Sequence, residues 1–273
     1  MLCPEDIRQI IVDLEIHKDA SDPKVSRALD DLVCYLERGQ VRVAHFQENQ
    51  QIWVVNTWVR QGILWLFRLG KGHVMDGSAL SWYDKMPLKT QGWSQKDFQD
   101  HGFRAVPGAW MRKGTYIGTR SVIMNSFVNI GAYVGEETLI DSDVLVGSCA
   151  QVGRRCHISA GVKLGGVLEP ENARPVIIED DCFIGAGCQI LEGRLISKGS
   201  VLGAGVTLTE STKVVDRASG LICMGDIPPY SVVIPGSLAL SDLPQVSVQC
   251  AIITKTVTPE TRKRTQINDL LRD

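Results

Sequence analysis

The sequence lacks a basic excess: 29 Lys and Arg stand against 31 Asp and Glu, a net charge of −2 over 273 residues. A nucleic-acid surface, which needs clustered positive charge, is therefore not expected. No apolar run approaches the ~18 residues needed to span a bilayer, so no membrane partner is expected either. The opening MLCPEDIRQI carries acidic residues and no apolar signal core, which points to a cytoplasmic protein. Cysteines are present at positions 3, 34, 149, 156, 182, 188, 223 and 250, but no CxxC pair or zinc spacing is. That pattern suits reduced structural thiols and no metal. A Ser-His-Asp or Cys-His signature of covalent catalysis is missing as well.

What the sequence does have is a repeat. From Tyr116 it divides into sixes, with first positions Tyr116, Val122, Val128, Val134, Ile140, Val146, Val152, Ile158 and Leu164. Fifth positions are small or β-branched: Ser126, Ala132, Thr138, Val144, Ala150, Cys156 and Val162. The register breaks across GGVLEPENARPV and resumes at Ile178, Ile184, Ile190, Ile196, Leu202, Leu208 and Val214. Period six is neither helical nor simply alternating. It fits a parallel β-helix whose coils are triangles, with a large aliphatic pointing inward on each side and a small residue near each corner. Stacked coils satisfy one another's backbone groups and share one core. Cys156, Cys182 and Cys188 fall at the small inward position and read as packing residues. Arg194 falls there too, and an inward or corner Arg requires a partner. His157 reads as a solvated turn residue.

The flanks show no period of six. EDIRQIIVDLEIH and DPKVSRALDDLVCYLERG have helical spacing, the second ending at Gly39. Segments such as QVRVAHF and IWVVNTWVRQGILWLFRL mix strand and helix patterns, and the aromatics Trp53, Trp58, Trp65 and Phe67 read as core. Residues 1–105 are expected to form an α+β N-terminal cap domain, 106–220 the β-helix with an excursion loop near 165–177, and 221–273 a C-terminal strand and helix cap. In that last segment VQCAIITKTV reads as a strand pair and TPETRKRTQINDLLRD as a helix with Thr258 as N-cap. Its basic run Arg262, Lys263 and Arg264 suits either a ligand's phosphates or a solvated face.

GFRAVPG (102–108), FVNIGAYVGEETLID (127–141), VGSCAQVG (146–153), GGVLEP (165–170), IIEDDCFIGA (177–186), GSVLGAGV (199–206) and KTVTPETR (255–262) resemble the tetrahydrodipicolinate N-succinyltransferase family. The likeness runs through nearly the whole chain. It implies a mainly β protein: a left-handed parallel β-helix that forms a homotrimer, with active sites in grooves between neighbouring prisms. It also implies direct transfer of an acetyl or succinyl group from acetyl-CoA or succinyl-CoA to the amine of a small amino-dicarboxylate acceptor. No cofactor is expected to be permanently bound.

By that resemblance Arg104 would bind the acceptor's carboxylate, for which a guanidinium fork is suited. Asp141 would orient the acceptor amine and take its proton. The plainer alternatives are an Arg bridging cap and helix and an Asp closing its own turn. Gly166, Gly203, Ala204 and Gly205 would let the pantetheine arm approach the backbone, and Lys255 would meet a CoA phosphate.

Some residues depart from the family pattern. Gln189 stands where a catalytic glutamate is usual, Gly187 replaces an arginine, Asp143 a tryptophan, Lys163 a glycine and Arg194 an aliphatic. Positions 187 and 189 would share a face if extended. Losing a cation and gaining an anion disfavours a succinyl carboxylate, which Lys163 and Arg194 would offset. These changes point to a specialised branch of the lysine pathway, such as the one leading to tabtoxin. The alternatives are the ordinary enzyme of lysine and diaminopimelate biosynthesis and an inactive scaffold.

Overall fold

The computed structural model describes residues 1–76, 81–168, 173–240 and 242–258. Short two-residue strands, one per triangle side, wind from Arg104 to Leu208 and pair in parallel with the coils above and below. The first face stacks Arg104–Ala105, Val122–Ile123, Leu139–Ile140, His157–Ile158, Phe183–Ile184 and Val201–Leu202. The second stacks Trp110–Met111, Phe127–Val128, Leu145–Val146, Lys163–Leu164, Gln189–Ile190 and Thr207–Leu208. The third stacks Tyr116–Ile117, Tyr133–Val134, Gln151–Val152, Ile177–Ile178 and Leu195–Ile196.

In each strand the second residue points inward. Ile123, Val128, Val134, Ile140, Val146, Val152, Ile158, Leu164, Ile184 and Ile190 are all fully buried. Each such aliphatic contributes roughly 1.5–3 kcal/mol of transfer free energy. The small corner positions, including Cys156, Cys182 and Cys188, are fully buried too.

The register differs from the sequence reading at both ends. The inward residues of the first units are Ile117 and Ile123, not Tyr116 and Val122, because the turn from Ile123 to Val128 is one residue short. At the other end Lys213–Asp216 does not start another coil side. It forms a hairpin with Ile222–Met224, leaving Ala218 exposed in the connecting turn. Arg194 finds the partner it requires: Nε donates to the Thr209 carbonyl at 2.8 Å and Nη2 to that of Glu210, so it ties two coils together.

The N-terminal segment holds α1 (Pro4–His17), α2 (Pro23–Glu37), α3 (Thr57–Leu69) and α4 (Gln95–His101), with hairpins Ala44–Gln47/Ile52–Val55 and His73–Asp76/Ser81–Asp84. α2 begins with Asp22 accepting from the Lys24 N–H at 2.8 Å and Pro23 in its first turn. Past its end Gly39 takes a positive φ and lies under the Tyr116 ring, where an added Cβ would come within 2.8 Å.

These elements cover the third face. Tyr116 and Tyr133 stack with ring centroids 4.5 Å apart, and the Arg42 guanidinium lies 3.6 Å over Tyr133 while Nε donates to Gln151 at 3.0 Å. Burial lowers the Arg42 pKa, the neighbouring Tyr133 opposing it. Trp53 Nε1 donates to Glu179 at 2.8 Å, and buried Arg60 donates to the Ala173 carbonyl at 2.5 Å. Of the four aromatics read as core, Trp65 is buried, whereas Trp53, Trp58 and Phe67 are half-buried. The corner between second and third faces is covered as well, since Ile130 and Cys149 pack into the helical core.

At the far end Ser231–Ala239 runs antiparallel to Ser247–Thr256 and adds to the first face through Val232 beside Val201. VQCAIITKTV is thus part of one long strand rather than a strand pair, because it has partners on both sides: Ser231–Ala239 and Lys213–Asp216. The expected helix after Thr258, with Arg262, Lys263 and Arg264, lies outside the described residues.

Candidate functional site

Ladder register fixes which outward side chains line up. On the first face the column runs Arg104, Val122, Leu139, His157, Phe183, Val201, Val232 and Lys255. Arg104 is exposed and lies two strands below Leu139, about 10 Å at the usual ~4.8 Å spacing. Asp141 follows Ile140 and opens the turn into the second face.

Its backbone is held by N–H donation to the Ile158 carbonyl at 2.9 Å, and its own carbonyl accepts from Ser126 Oγ at 2.6 Å. The carboxylate divides its contacts. Oδ1 accepts from the Ser142 N–H at 2.7 Å, and Oδ2 lies 3.8 Å from His157 Nε2. Asp141 does close its own turn, as the plainer alternative has it, yet one oxygen remains directed at the open face. His157 is half-buried against Phe183, with ring centroids 4.9 Å apart, and is not the solvated turn residue read from the sequence. A period of six places it on a strand, but only the 18-residue coil puts it beside Asp141.

Above Asp141 the same corner is lined by Ser159-Ala160-Gly161, Gly185-Ala186-Gly187 and Gly203-Ala204-Gly205. Gly161, Gly187 and Gly205 have positive φ, so the turn itself favours glycine. Asp143 takes the same conformation one coil below Gly161, at φ 59°. A Cβ at Gly187 or Gly205 would meet nothing within 4 Å, and both are exposed, so this stripe is open. Gly187 lies in the turn and Gln189 on the strand after it, so the two do not share an extended face.

Lys255 is exposed at the top of the column, five strand steps and about 24 Å above the rung of Leu139 at the usual spacing. Gly166 is elsewhere. It sits at the corner between second and third faces and is exposed there, but an added Cβ would lie 2.8 Å from the Ser148 backbone nitrogen, so its small size serves coil stacking. Of the excursion loop, the described Ala173 accepts from Arg60 and Arg174 makes a two-point pair with Asp226.

Gln189 is exposed on the second face beside Lys163, around the corner from Asp141 and two coils above it. The chain does not bring the two into contact. Lys163 Nζ donates to the Asp143 carbonyl at 2.8 Å, which holds an ammonium at the open corner, whereas Arg194 is engaged inside the stack. Burial pushes the Cys149 thiol up to about 12 and raises Cys156 and Cys188, so these cysteines are poor nucleophiles. Among the described residues no group of three His, Cys, Asp or Glu could hold a metal, and no helix is long and apolar enough to cross a membrane.

Residues 7–69 match the model for the tetrahydrodipicolinate N-succinyltransferase N-terminal region, and residues 175–210 that for the hexapeptide repeat of succinyl-transferase. Curated relatives named 2,3,4,5-tetrahydropyridine-2,6-dicarboxylate N-succinyltransferase include one from Bartonella bacilliformis, 50% identical over 87% of this chain and 86% of that protein. Another from Nitrobacter hamburgensis is 49% identical over 93% and 92%, and one from Caulobacter vibrioides 47% identical over 93% of each. The β-helix, its open corner and these relatives together define an acyl-CoA-dependent N-acyltransferase. More closely, the chain belongs to the tetrahydrodipicolinate N-succinyltransferase family. The tabtoxin branch expected from Gln189, Gly187 and Asp143 gains no support from these relatives, all named for the ordinary reaction.

Proposed function

We propose that this chain transfers a succinyl group from succinyl-CoA to the amine of tetrahydrodipicolinate, the ordinary step of lysine and diaminopimelate biosynthesis, in the cytoplasm. The observation that carries the reading is identity near 50% to succinyltransferases of that name along about nine tenths of the chain. The site supports it. Arg104 and Asp141 line one open face, the first suited to an acceptor carboxylate and the second to an amine. The stripe of Gly203, Ala204 and Gly205 lies at the corner above Asp141, open at Gly205, and Lys255 tops the neighbouring first-face column, a path for a pantetheine arm ending on a cation.

In this reading a homotrimer brings the second face of one copy against the first face of the next. That arrangement gives Gln189 a role that it lacks within one chain, as hydrogen-bond partner of the neighbouring copy's acceptor. Water first adds across the ring C=N bond of tetrahydrodipicolinate and opens it to a primary amine and a ketone; that amine attacks the thioester directly, forming the amide and releasing the CoA thiol. The reading is tested by following thiol release with succinyl-CoA and acetyl-CoA on tetrahydrodipicolinate, and by complementing a strain that lacks the step. Succinyl transfer with rescue of growth is the expected result. Turnover with neither donor, or with acetyl-CoA alone, overturns it.

A further inference from the structure

Where the N-terminal segment meets the first coil, a cavity of about 380 Å³ opens between the two. We infer that it is a binding site for a small organic anion, with the oxyanion head between Lys89 and Lys113 and an apolar body against Pro87, Leu88 and Trp93. Its walls come from both parts of the chain. Glu37 ends α2, Trp93 stands just before α4, and Lys113 follows the strand Trp110–Met111. Backbone bonds on either side of a bridge between Leu88 and Arg112 fix the two lysines: the Lys89 N–H donates to the Met111 carbonyl at 2.7 Å, and the Lys113 N–H to that of Pro87 at 2.9 Å. Trp93 is held as well, stacked on His101 with ring centroids 4.2 Å apart and edge-on to Phe98 at 5.1 Å. The site is therefore formed in advance, and its size is that of a small-molecule pocket.

Charge points to the ligand class. Lys89 is only 5% exposed, and a buried ammonium needs close partners to offset its lost hydration. It has three N–H donors. Among the described residues it uses one, on Glu37 Oε1 at a long 3.3 Å, with the Trp93 ring centroid 5.7 Å away. That same oxygen also accepts from the Gly114 N–H at 3.3 Å, so the carboxylate is shared. Two ammonium groups thus stand against one carboxylate in the cavity wall. Burial lowers the Lys89 pKa, Glu37 opposes the shift, and the nearby Lys113 adds to it. A carboxylate or phosphate between the lysines supplies the missing charge and the missing acceptors. The apolar wall then favours an organic anion over a bare inorganic one. The transfer does not use these residues: Lys113 lies between the second and third faces, whereas Asp141 opens the turn from the first into the second.

The test is calorimetric titration of the full-length protein with four probes: benzoate, phenyl phosphate, inorganic phosphate and benzyl alcohol. Benzoate or phenyl phosphate is expected to bind at one site per chain, and the tighter of the two identifies the head group. Inorganic phosphate, which lacks the apolar body, and benzyl alcohol, which lacks the charge, are expected to bind at least about tenfold more weakly. Lys113→Met should weaken the organic anion about tenfold at an unchanged melting temperature, because Lys113 is exposed. Lys89→Met should abolish binding. It also strands the Glu37 carboxylate and should lower the melting temperature, so Lys113 carries the decision. Arg104→Ala, on the acceptor side of the molecule, should leave binding at the parental value. The inference is overturned if neither organic anion binds the parent at 10 mM, a concentration of about the weakest specific site, or if Lys113→Met binds like the parent. Benzyl alcohol binding as tightly as benzoate removes the anion from the proposal, and inorganic phosphate matching phenyl phosphate removes the apolar body. Loss of binding in Arg104→Ala would place the probe in the transfer groove instead and overturn the separate site. The outcome stands apart from the functional reading, which thiol release decides by itself.

Discussion

The third face and the first face of the prism are built on the same period but treated differently by the rest of the chain. On the third, polar and aromatic groups find partners in the N-terminal segment: Tyr133 under Arg42, Gln151 at Arg42 Nε, and Glu179, in the turn after Ile178, at Trp53. On the first, the outward column keeps Arg104 exposed and sets His157 beside Asp141 at an uncovered corner. Polar residues on a covered face complete internal packing. On an open face they are also accessible to a ligand. Arg42 and Arg104 are thus the same residue type in opposite surroundings, one covered and one exposed.

Exchanging each for alanine puts that contrast at risk. Arg104→Ala should lower kcat/KM for the acceptor by about 10²- to 10³-fold, the loss of a carboxylate anchor costing roughly 2–5 kcal/mol. Its melting temperature should stay close to that of the parent. Arg42→Ala should do the reverse, lowering the melting temperature through loss of about 2 kcal/mol of stacking and hydrogen bonding while leaving kcat/KM nearly unchanged. Steady-state kinetics and thermal melts on the two variants decide it. Equal effects on both measures would erase the distinction between the faces.

Asp141→Asn comes next in size. It keeps the turn bond from Ser142 but removes the charge facing His157 and the amine, so kcat should fall about 10²-fold at unchanged stability. A variant with parental kcat would reduce Asp141 to the role of a turn residue. Lys163 sharpens the comparison on the second face. Its ammonium is held at the open corner by the Asp143 carbonyl. Lys163→Met should reduce the preference for succinyl-CoA over acetyl-CoA by about fivefold, the ~1 kcal/mol typical of an exposed charge pair. An unchanged donor ratio would show that the donor carboxylate is held elsewhere.

The sequence made the stack of triangles legible because burial imposes its period directly: inward aliphatics and small corners must recur or the core fails. It hid the one-residue deletion between Ile123 and Val128, since Val122 and Ile123 are both apolar and either satisfies the pattern. It hid the final hairpin because Val214 is buried in the core like a coil residue before the chain turns away. Arg104 and Asp141 were read as candidates from local motifs, each carried by a handful of consecutive residues. The approach of His157 to Asp141 was not legible because it lies between coils, not within one. Which face the N-terminal helices cover was not legible at all. It depends on contacts such as Gly39 against Tyr116 that join distant segments and leave no period.

The smallest effect separates two glycines that the sequence treated alike. Gly166 and Gly205 were both expected to make room for the pantetheine arm. At Gly166 the space is already taken by the chain's own backbone, with Ser148 N 2.8 Å from an added Cβ. Gly166→Ala should therefore cost about 1–3 kcal/mol of stability by overpacking, and the KM for acyl-CoA should hold. At Gly205 nothing lies within 4 Å, so an alanine meets no clash and only the positive φ of 75° opposes it, at about 1–2 kcal/mol. If the arm passes over this corner, the added methyl meets the ligand, and Gly205→Ala should raise the KM for acyl-CoA a few-fold. Melting curves with and without CoA separate the two: the shift on adding CoA should persist in Gly166→Ala and shrink in Gly205→Ala. A shift that shrinks only in Gly166→Ala would move the arm to the other corner of the prism, and with it the seam at which neighbouring copies meet.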